Sequence, residues 1–391
     1  MKRILATAAA LLLLSGCISA HRSAPKPGLT YVGSKPVTLP CRILGNIPIV
    51  ETKWDKEGPY HFVIDTGSSV TLVSPELALR YGAPDEPPMD VPKVRVRSAQ
   101  GGTKVLDAVM LAKIQLGHAR FEYVPALVFD CADLSAHFGV RIDGILGFPL
   151  FRNAVLTLDY PHGQVVIRSD IPEEGLPGET ILFNNEDKTP LIPIRLGDRE
   201  FAALIDSGST AAIAVNPAGL SPRFSFGPVV GPVVNTLAGD QASSVGRLAD
   251  VVRMGSFDIA QPVADVTDEL SSLGGGILRH FIVTFDQRDN EVFFQHDPAD
   301  PLSMPSLRGT GLSFRKAPAY WKVVGVVPTS PAGEIGVRPG DLVSRINGEP
   351  VGNWDIARYE RLVDTAAWID FTFIDGSNEA LTRLRVVDLV P

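Results

Sequence analysis

Two stretches of this chain are written to one design. In HFVIDTGSSVTLVS (His61–Ser74) an apolar run ends in Asp65 and a Thr-Gly-Ser-Ser turn, after which apolar residues resume. In FAALIDSGSTAAIAV (Phe201–Val215) the run ends in Asp206 and Ser-Gly-Ser-Thr. The likeness extends outward. IPIV (Ile47–Val50) precedes Asp65, and IPIR (Ile192–Arg195) precedes Asp206. Downstream, ILGFPLFRNAVLTLDY (Ile145–Tyr160) aligns without a gap with SLGGGILRHFIVTFDQ (Ser272–Gln287). Both share Leu-Gly, an Arg five residues after that Gly, and a closing apolar-Thr-apolar-Asp. Ordered blocks recurring in two copies define an internal repeat. The chain must therefore build two homologous lobes, each carrying one Asp at a turn.

A carboxylate at the end of a buried run is costly unless something uses it. Gly67 and Gly208 permit backbone conformations and close approaches that a Cβ would forbid, and the flanking β-branched residues suit buried strands. Hydroxyls on Thr66, Ser68, Ser207 and Ser209 can bond to neighbouring backbone or carboxylate. Brought together, the two turns would place two carboxylates in one site. Like charges that close cannot both ionise comfortably, so the pair would hold one shared proton. One member could then take a proton from water while the other donates to a carbonyl oxygen. Asp159 and Asp286 also recur, at strand ends before turn residues, and read as turn caps.

Composition narrows the class. At 391 residues the chain has room for two or three domains, and 36 Gly with 32 Pro suit a turn-rich β architecture. The opening MKRILATAAALLLLSGCISA sets Lys2 and Arg3 before an apolar run, Ile4–Leu14, that is too short to span a bilayer and reads as a signal-peptide core. Without Lys2 and Arg3 the chain keeps 34 basic against 44 acidic residues, a net charge near −10, and no basic cluster, which argues against nucleic acid as a partner. There is no CxxC, no HExxH and no His/Cys cluster, so neither a metal nor a cofactor is expected. Cys41 and Cys131 could pair in an oxidising compartment or stand apart in the core.

VIDTGSS and LIDSGST resemble the active-site turns of pepsin- and retropepsin-like aspartic peptidases. GILGFPLF and the Leu273-Gly274 copy resemble the element packed beneath each turn, and IVTFDQRDNEVFF is similar to the closing strands of a pepsin-like second lobe. The resemblance spans residues 30 to 298, in lobes of 30–175 and 176–298. It implies a mainly β, bilobal double-barrel fold and hydrolysis of a peptide or protein substrate by a water activated between Asp65 and Asp206, supported by Thr66, Gly67, Ser68, Ser207, Gly208 and Ser209. The aspartic-protease dyad is the standing example of two carboxyls sharing one proton. In that family a β-hairpin flap covers the substrate. Its counterpart here is Val94–Asp107, with Ser98, Ala99, Gln100, Gly101, Gly102 and Thr103 at the tip. The matching stretch of the second lobe is Val233–Leu248. Neither carries the tyrosine of pepsin-like flaps, and the Gly-Gly tip looks more like a retropepsin flap.

Leu14-Ser15-Gly16-Cys17 resembles the lipobox of bacterial lipoproteins. That likeness implies a signal peptide over 1–16, acylation of Cys17, a tether over 17–29 and a membrane partner reached through the lipid in the bacterial envelope, facing the periplasm. Ile18, in place of the aspartate that retains many lipoproteins in the inner membrane, points to the outer membrane. After the Pro- and Asp-rich linker HDPADPLSMP, residues 305–391 follow a different pattern. GVVPTSPAGEIGVRPGDLVSRINGEPV (Gly325–Val351) resembles bacterial PDZ domains. Gly311, Leu312, Ser313 and Phe314 look like that family's carboxylate-binding loop, where backbone N–H groups receive a peptide C-terminus. Trp354–Asp364 reads as the helix lining its groove. Two linked lobes can close on each other within one chain, so a monomer is expected. A second reading makes the chain a non-catalytic peptide-binding envelope lipoprotein on a pepsin-like scaffold. Retention of both carboxylates favours the enzyme.

Overall fold

The computed structural model describes residues 28–83, 93–97, 102–236 and 239–391. Cys17 and flap residues Ser98–Gly101 lie outside that range. The chain is mainly β, as expected, with its strands in two large sheets, a six-stranded sheet and a two-stranded ribbon.

Each copy of the repeat builds the same unit. The strand Glu57–Asp65 buries Phe62, Val63 and Ile64 in succession, so both its faces are covered just before Asp65. It runs parallel to Gly144–Gly147, bringing Asp65 opposite Gly147. The strand Arg199–Asp206 likewise runs parallel to Ser272–Gly274, bringing Asp206 opposite Gly274. In both copies a short strand beyond the turn, Thr71–Val73 or Ile213–Val215, pairs antiparallel with the same Leu-Gly strand.

The copies are then joined through their own equivalent strands. Val155–Asp159 pairs antiparallel with Phe281–Asp286, in a register that places Thr157 opposite Thr284. These threonines are counterparts in the gap-free alignment, 127 positions apart, and their Oγ1 atoms lie 2.9 Å from each other. A pseudo-two-fold axis therefore passes between them. Through this pair, Phe281–Asp286 and Glu291–His296 join the 14-stranded sheet dominated by the first copy, while a nine-stranded sheet carries the rest of the second. One continuous core runs through both copies, from Phe62, Phe148 and Phe151 to Ile205, Leu273 and Phe285.

Asp159 and Asp286 act as turn caps. Asp159 Oδ1 accepts from the His162 N–H (3.2 Å), and Asp286 Oδ1 from the Arg288 N–H (2.9 Å). Cys41 and Cys131 are both free and buried in different clusters, and burial pushes each thiol up to about 12. The open question of their pairing is thus answered by two separate core thiols. No helix among the described residues is long and apolar enough to cross a membrane.

Residues beyond the linker enclose a core of their own around Phe314, Trp321, Tyr359 and Phe371. The six-stranded sheet here runs from Leu312–Lys316 at one edge through Trp321–Val326, Leu342–Ile346 and Trp368–Asp375 to Asn378–Arg385. The helix Ile356–Thr365 begins at Asp355, whose carboxylate accepts from the Arg358 N–H (2.8 Å), and it sets Tyr359 and Val363 into this core.

The buried threonine pair offers a test of the axis. Thr157→Val should destabilise the chain by about 1–3 kcal/mol, because it strands the Thr284 hydroxyl. Adding Thr284→Val should recover much of that loss. Denaturant midpoints for the two single variants and the double variant would show whether the two hydroxyls depend on each other.

Candidate active site

The site is made where the two parallel strand pairs end. The Gly67 N–H donates to Asp65 Oδ1 and the Gly208 N–H donates to Asp206 Oδ1, each at 2.9 Å. An aspartate bonded to its own backbone two residues on is a turn former, and here that bond also aims the carboxyl. The Ser68 and Ser209 N–H groups close each turn on the aspartate carbonyl at 3.3 Å.

Four further bonds cross between the copies. The Thr66 N–H donates to Ser207 Oγ (2.9 Å), and the Ser207 N–H donates to Thr66 Oγ1 (3.0 Å). Each hydroxyl then donates past its partner's turn, Thr66 Oγ1 to the Ile205 carbonyl (2.6 Å) and Ser207 Oγ to the Ile64 carbonyl (2.8 Å). Thr66 and Ser207 are fully buried, so these bonds are shielded from competing water. Ser68 and Ser209 face a different task. The Ser68 carbonyl accepts from the Phe148 N–H (2.9 Å), and the Ser209 carbonyl from the Gly275 N–H (2.8 Å), which ties each turn to the segment after its Leu-Gly block. Their hydroxyls bond locally, to Val70 and Ala211.

The glycines are required by close approach rather than by left-handed backbone. A Cβ on Gly67 would sit 2.6 Å from Asp206 Cγ, and one on Gly208 would sit 2.5 Å from Asp65 Cγ. Gly147 and Gly274 are constrained similarly, since a Cβ there would meet the Val70 carbonyl oxygen at 2.2 Å and that of Ala211 at 2.4 Å.

The two carboxyls are hydrogen-bonded to each other, and both hold their protons above the ordinary carboxylate range. For Asp65 burial is the main cause, reinforced by the charge of Asp206. For Asp206 burial outweighs donation from Gly208, Asp65 and Ser209. A shared proton is the natural state of such a pair.

The other expected elements fall elsewhere. The hairpin of the first copy forms, with Arg97 opposite Thr103, and Arg97 Nε donates to Glu269 Oε1 (3.0 Å) in the second copy. Gly102 takes a left-handed φ of 78°. Gly311 (φ 90°) packs so tightly on Ser330 that a Cβ would overlap its hydroxyl, and Leu312, Ser313 and Phe314 continue into the edge strand. Among the described residues no His, Cys, Asp and Glu gather as a metal site would need. One residue escaped the sequence reading. Asn46, at a turn with Gly45 (φ 67° and 56°), donates through Nδ2 to the Thr210 carbonyl (3.0 Å), just beyond the second active-site turn. Its sequence signal, Gly-Asn between two β runs, marks a hairpin and nothing more.

Comparison with known families fits this arrangement. Residues 50–150 match the aspartyl protease model. Residues 322–367 match the PDZ domain model. The chain carries an aspartyl protease domain and a C-terminal PDZ domain. The protease match includes Asp65 and stops short of Asp206, so the second carboxylate rests on the internal repeat and on the cross-copy bonds. A crystal structure of the HtrA3 PDZ domain bound to a phage-derived ligand (FGRWV) is similar at 22% identity, over 21% of this chain and 89% of that one, with a TM-score of 0.19. No curated protein matches the chain.

The cross-copy bonds make a prediction for the protease domain. Ser207→Ala removes the acceptor of the buried Thr66 N–H and should cost about 1–3 kcal/mol in a denaturant titration. Ser207→Thr, which copies the residue of the first turn, should retain most of the stability. Equal losses in both variants would mean that the hydroxyl is not what matters.

Proposed function

We propose that the chain is an aspartic endopeptidase in which Asp65 and Asp206 share one proton and activate a water between them. The observation that carries this reading is the meeting of two carboxyls, one from each copy, each oriented by the N–H of the glycine two residues on. The ionised carboxylate takes a proton from water as the water oxygen bonds to the substrate carbonyl carbon, and the carbonyl π bond opens as the protonated partner donates to the carbonyl oxygen. As the C–N bond breaks, the first carboxyl gives its proton to the leaving amine and a hydroxyl of the intermediate returns one to the second carboxylate as the carbonyl re-forms, so the dyad regains its starting state. The hairpin through Gly102 and Thr103 closes over the substrate, and the PDZ domain receives peptide C-termini on the Gly311–Phe314 loop. The lipid on Cys17 holds the enzyme in the bacterial envelope.

Asp65→Asn and Asp206→Asn should each lower kcat/KM for an unstructured peptide by about 10²- to 10⁴-fold, while circular dichroism stays unchanged. A substantial residual rate in Asp206→Asn would leave the second copy as scaffold and return the chain to the non-catalytic reading. Because both carboxyls are raised, the active one-proton form persists above the ordinary carboxylate range and is lost only when the last proton leaves. The alkaline limb of the pH–rate profile should therefore lie well above pH ~4, and a limb at or below that value would contradict a shared proton. Cys17→Ser should move the protein out of the membrane fraction after cell breakage. Unchanged association would point to a protein partner or a retained leader.

A further inference from the structure

A PDZ domain takes an extended peptide as an added strand on an exposed sheet edge. Here that edge is Leu312–Lys316, which heads its sheet, and the helix Ile356–Thr365 lies beside it with Tyr359 packed edge-on to Phe314 (5.8 Å). Tyr359 and Val363 face the PDZ core, and Ile356 at the margin of that core and Glu360, one turn apart, form the adjoining helix face.

The groove between this strand and helix is filled by the protease domain. Along the strand side runs the helix Ala132–Phe138. Arg315 Nη1 donates to Asp133 Oδ1 (2.8 Å) and Lys316 Nζ to the His137 carbonyl (2.5 Å). A Cβ on Gly139 would lie 3.0 Å from Lys316 Cδ, so backbone occupies the space beside the lysine stem. On the helix side, Ile356 and Ala357 pack into a first-copy cluster that includes Leu44, Ile47, Phe138 and Ile142. The Glu360 carboxylate accepts from the Gly45 N–H, and Arg42 pairs with Asp355 at 3.5 Å. The second copy reaches the same strand: the Val233 N–H donates to Ser313 Oγ (2.9 Å), and Asp240 pairs with Arg315 (3.0 Å).

We propose that the peptide groove of the PDZ domain is closed by the chain's own protease domain, so that peptide binding and docking of the two domains exclude each other. The proposal rests on the peptide-binding reading above. A strand added to Leu312–Lys316 would have to occupy the space now held by His137–Gly139 and Gly45. The contact is built to open. Its rim is ionic, and it buries the Lys316 amine at a cost, since burial pulls that amine down to about 8. While the domains are docked, the apparent affinity for a peptide is reduced by the fraction of molecules that are open.

The test uses the full chain in an Asp65→Asn background, so that peptides are not cleaved. The probes are fluorescein-labelled hexapeptide pools ending in Val, Leu, Ile or Phe, with either free or amidated C-termini. Asp133→Arg/Asp240→Arg reverses both partners of Arg315 without touching the groove or the dyad. The free-carboxylate pool should bind this variant at least tenfold more tightly than the unreversed chain. Saturating the unreversed chain with the same pool should accelerate hydrogen exchange across residues 133–142. Equal affinities, with 133–142 still protected at saturation, would overturn closure and leave the peptide-binding reading in place. If neither chain discriminates free from amidated pools, the peptide-binding reading itself falls and closure falls with it.

Discussion

The structure depends on holding two carboxyls closer together than their charges favour. Nothing about Asp65 or Asp206 alone brings them near, and burial of each makes the ionised pair more costly still. What holds them is the exchange of bonds between Thr66 and Ser207, each of which gives an N–H to the other's hydroxyl and sends its own hydroxyl to the strand beyond. Because these groups are fully buried, opening the contact would leave several polar atoms without water or partner. The constraint is mutual, since neither turn keeps its geometry if the other is displaced.

The same two-fold logic recurs away from the carboxyls. Thr157 and Thr284 meet on the axis, and equivalent strands on either side of them continue into one sheet. A single core therefore serves both copies, and relative motion of the carboxyls would have to work against the packing of Phe148, Phe285 and their neighbours. For the proposed reaction such rigidity matters, because misplacement by about 1 Å can cost on the order of 10²-fold in rate.

The Gly45–Asn46 turn touches both the second copy of the repeat and the PDZ domain. Its Asn46 amide holds the Thr210 carbonyl just beyond the Asp206 turn, and its Gly45 N–H holds Glu360 on the PDZ helix. One short hairpin turn thus contacts both the segment after the Asp206 turn and the docked PDZ domain.

Much of this was legible in the sequence, for a physical reason. Tight turns, close backbone approaches and strands buried on both faces each admit few residue types, so Asp-Thr-Gly-Ser, Asp-Ser-Gly-Ser and the Leu-Gly blocks carry their geometry with them. The repeat implied two equivalent turns, and the closing segment announced a PDZ domain. Only the tertiary structure decided what meets across long separations. The opposite-copy carboxyls that Gly67 and Gly208 approach, the Thr157–Thr284 axis, the separation of Cys41 from Cys131, the reach of Asn46 to Thr210 and the packing of Lys316 against His137 all concern residues whose local patterns say nothing of each other. Asn46 reads as a turn and Lys316 as a strand-end cation until the chain is folded, because a hydrogen bond between distant segments leaves no periodicity behind. Local chemistry writes itself into sequence; the partner of a side chain is set by how the strands pack.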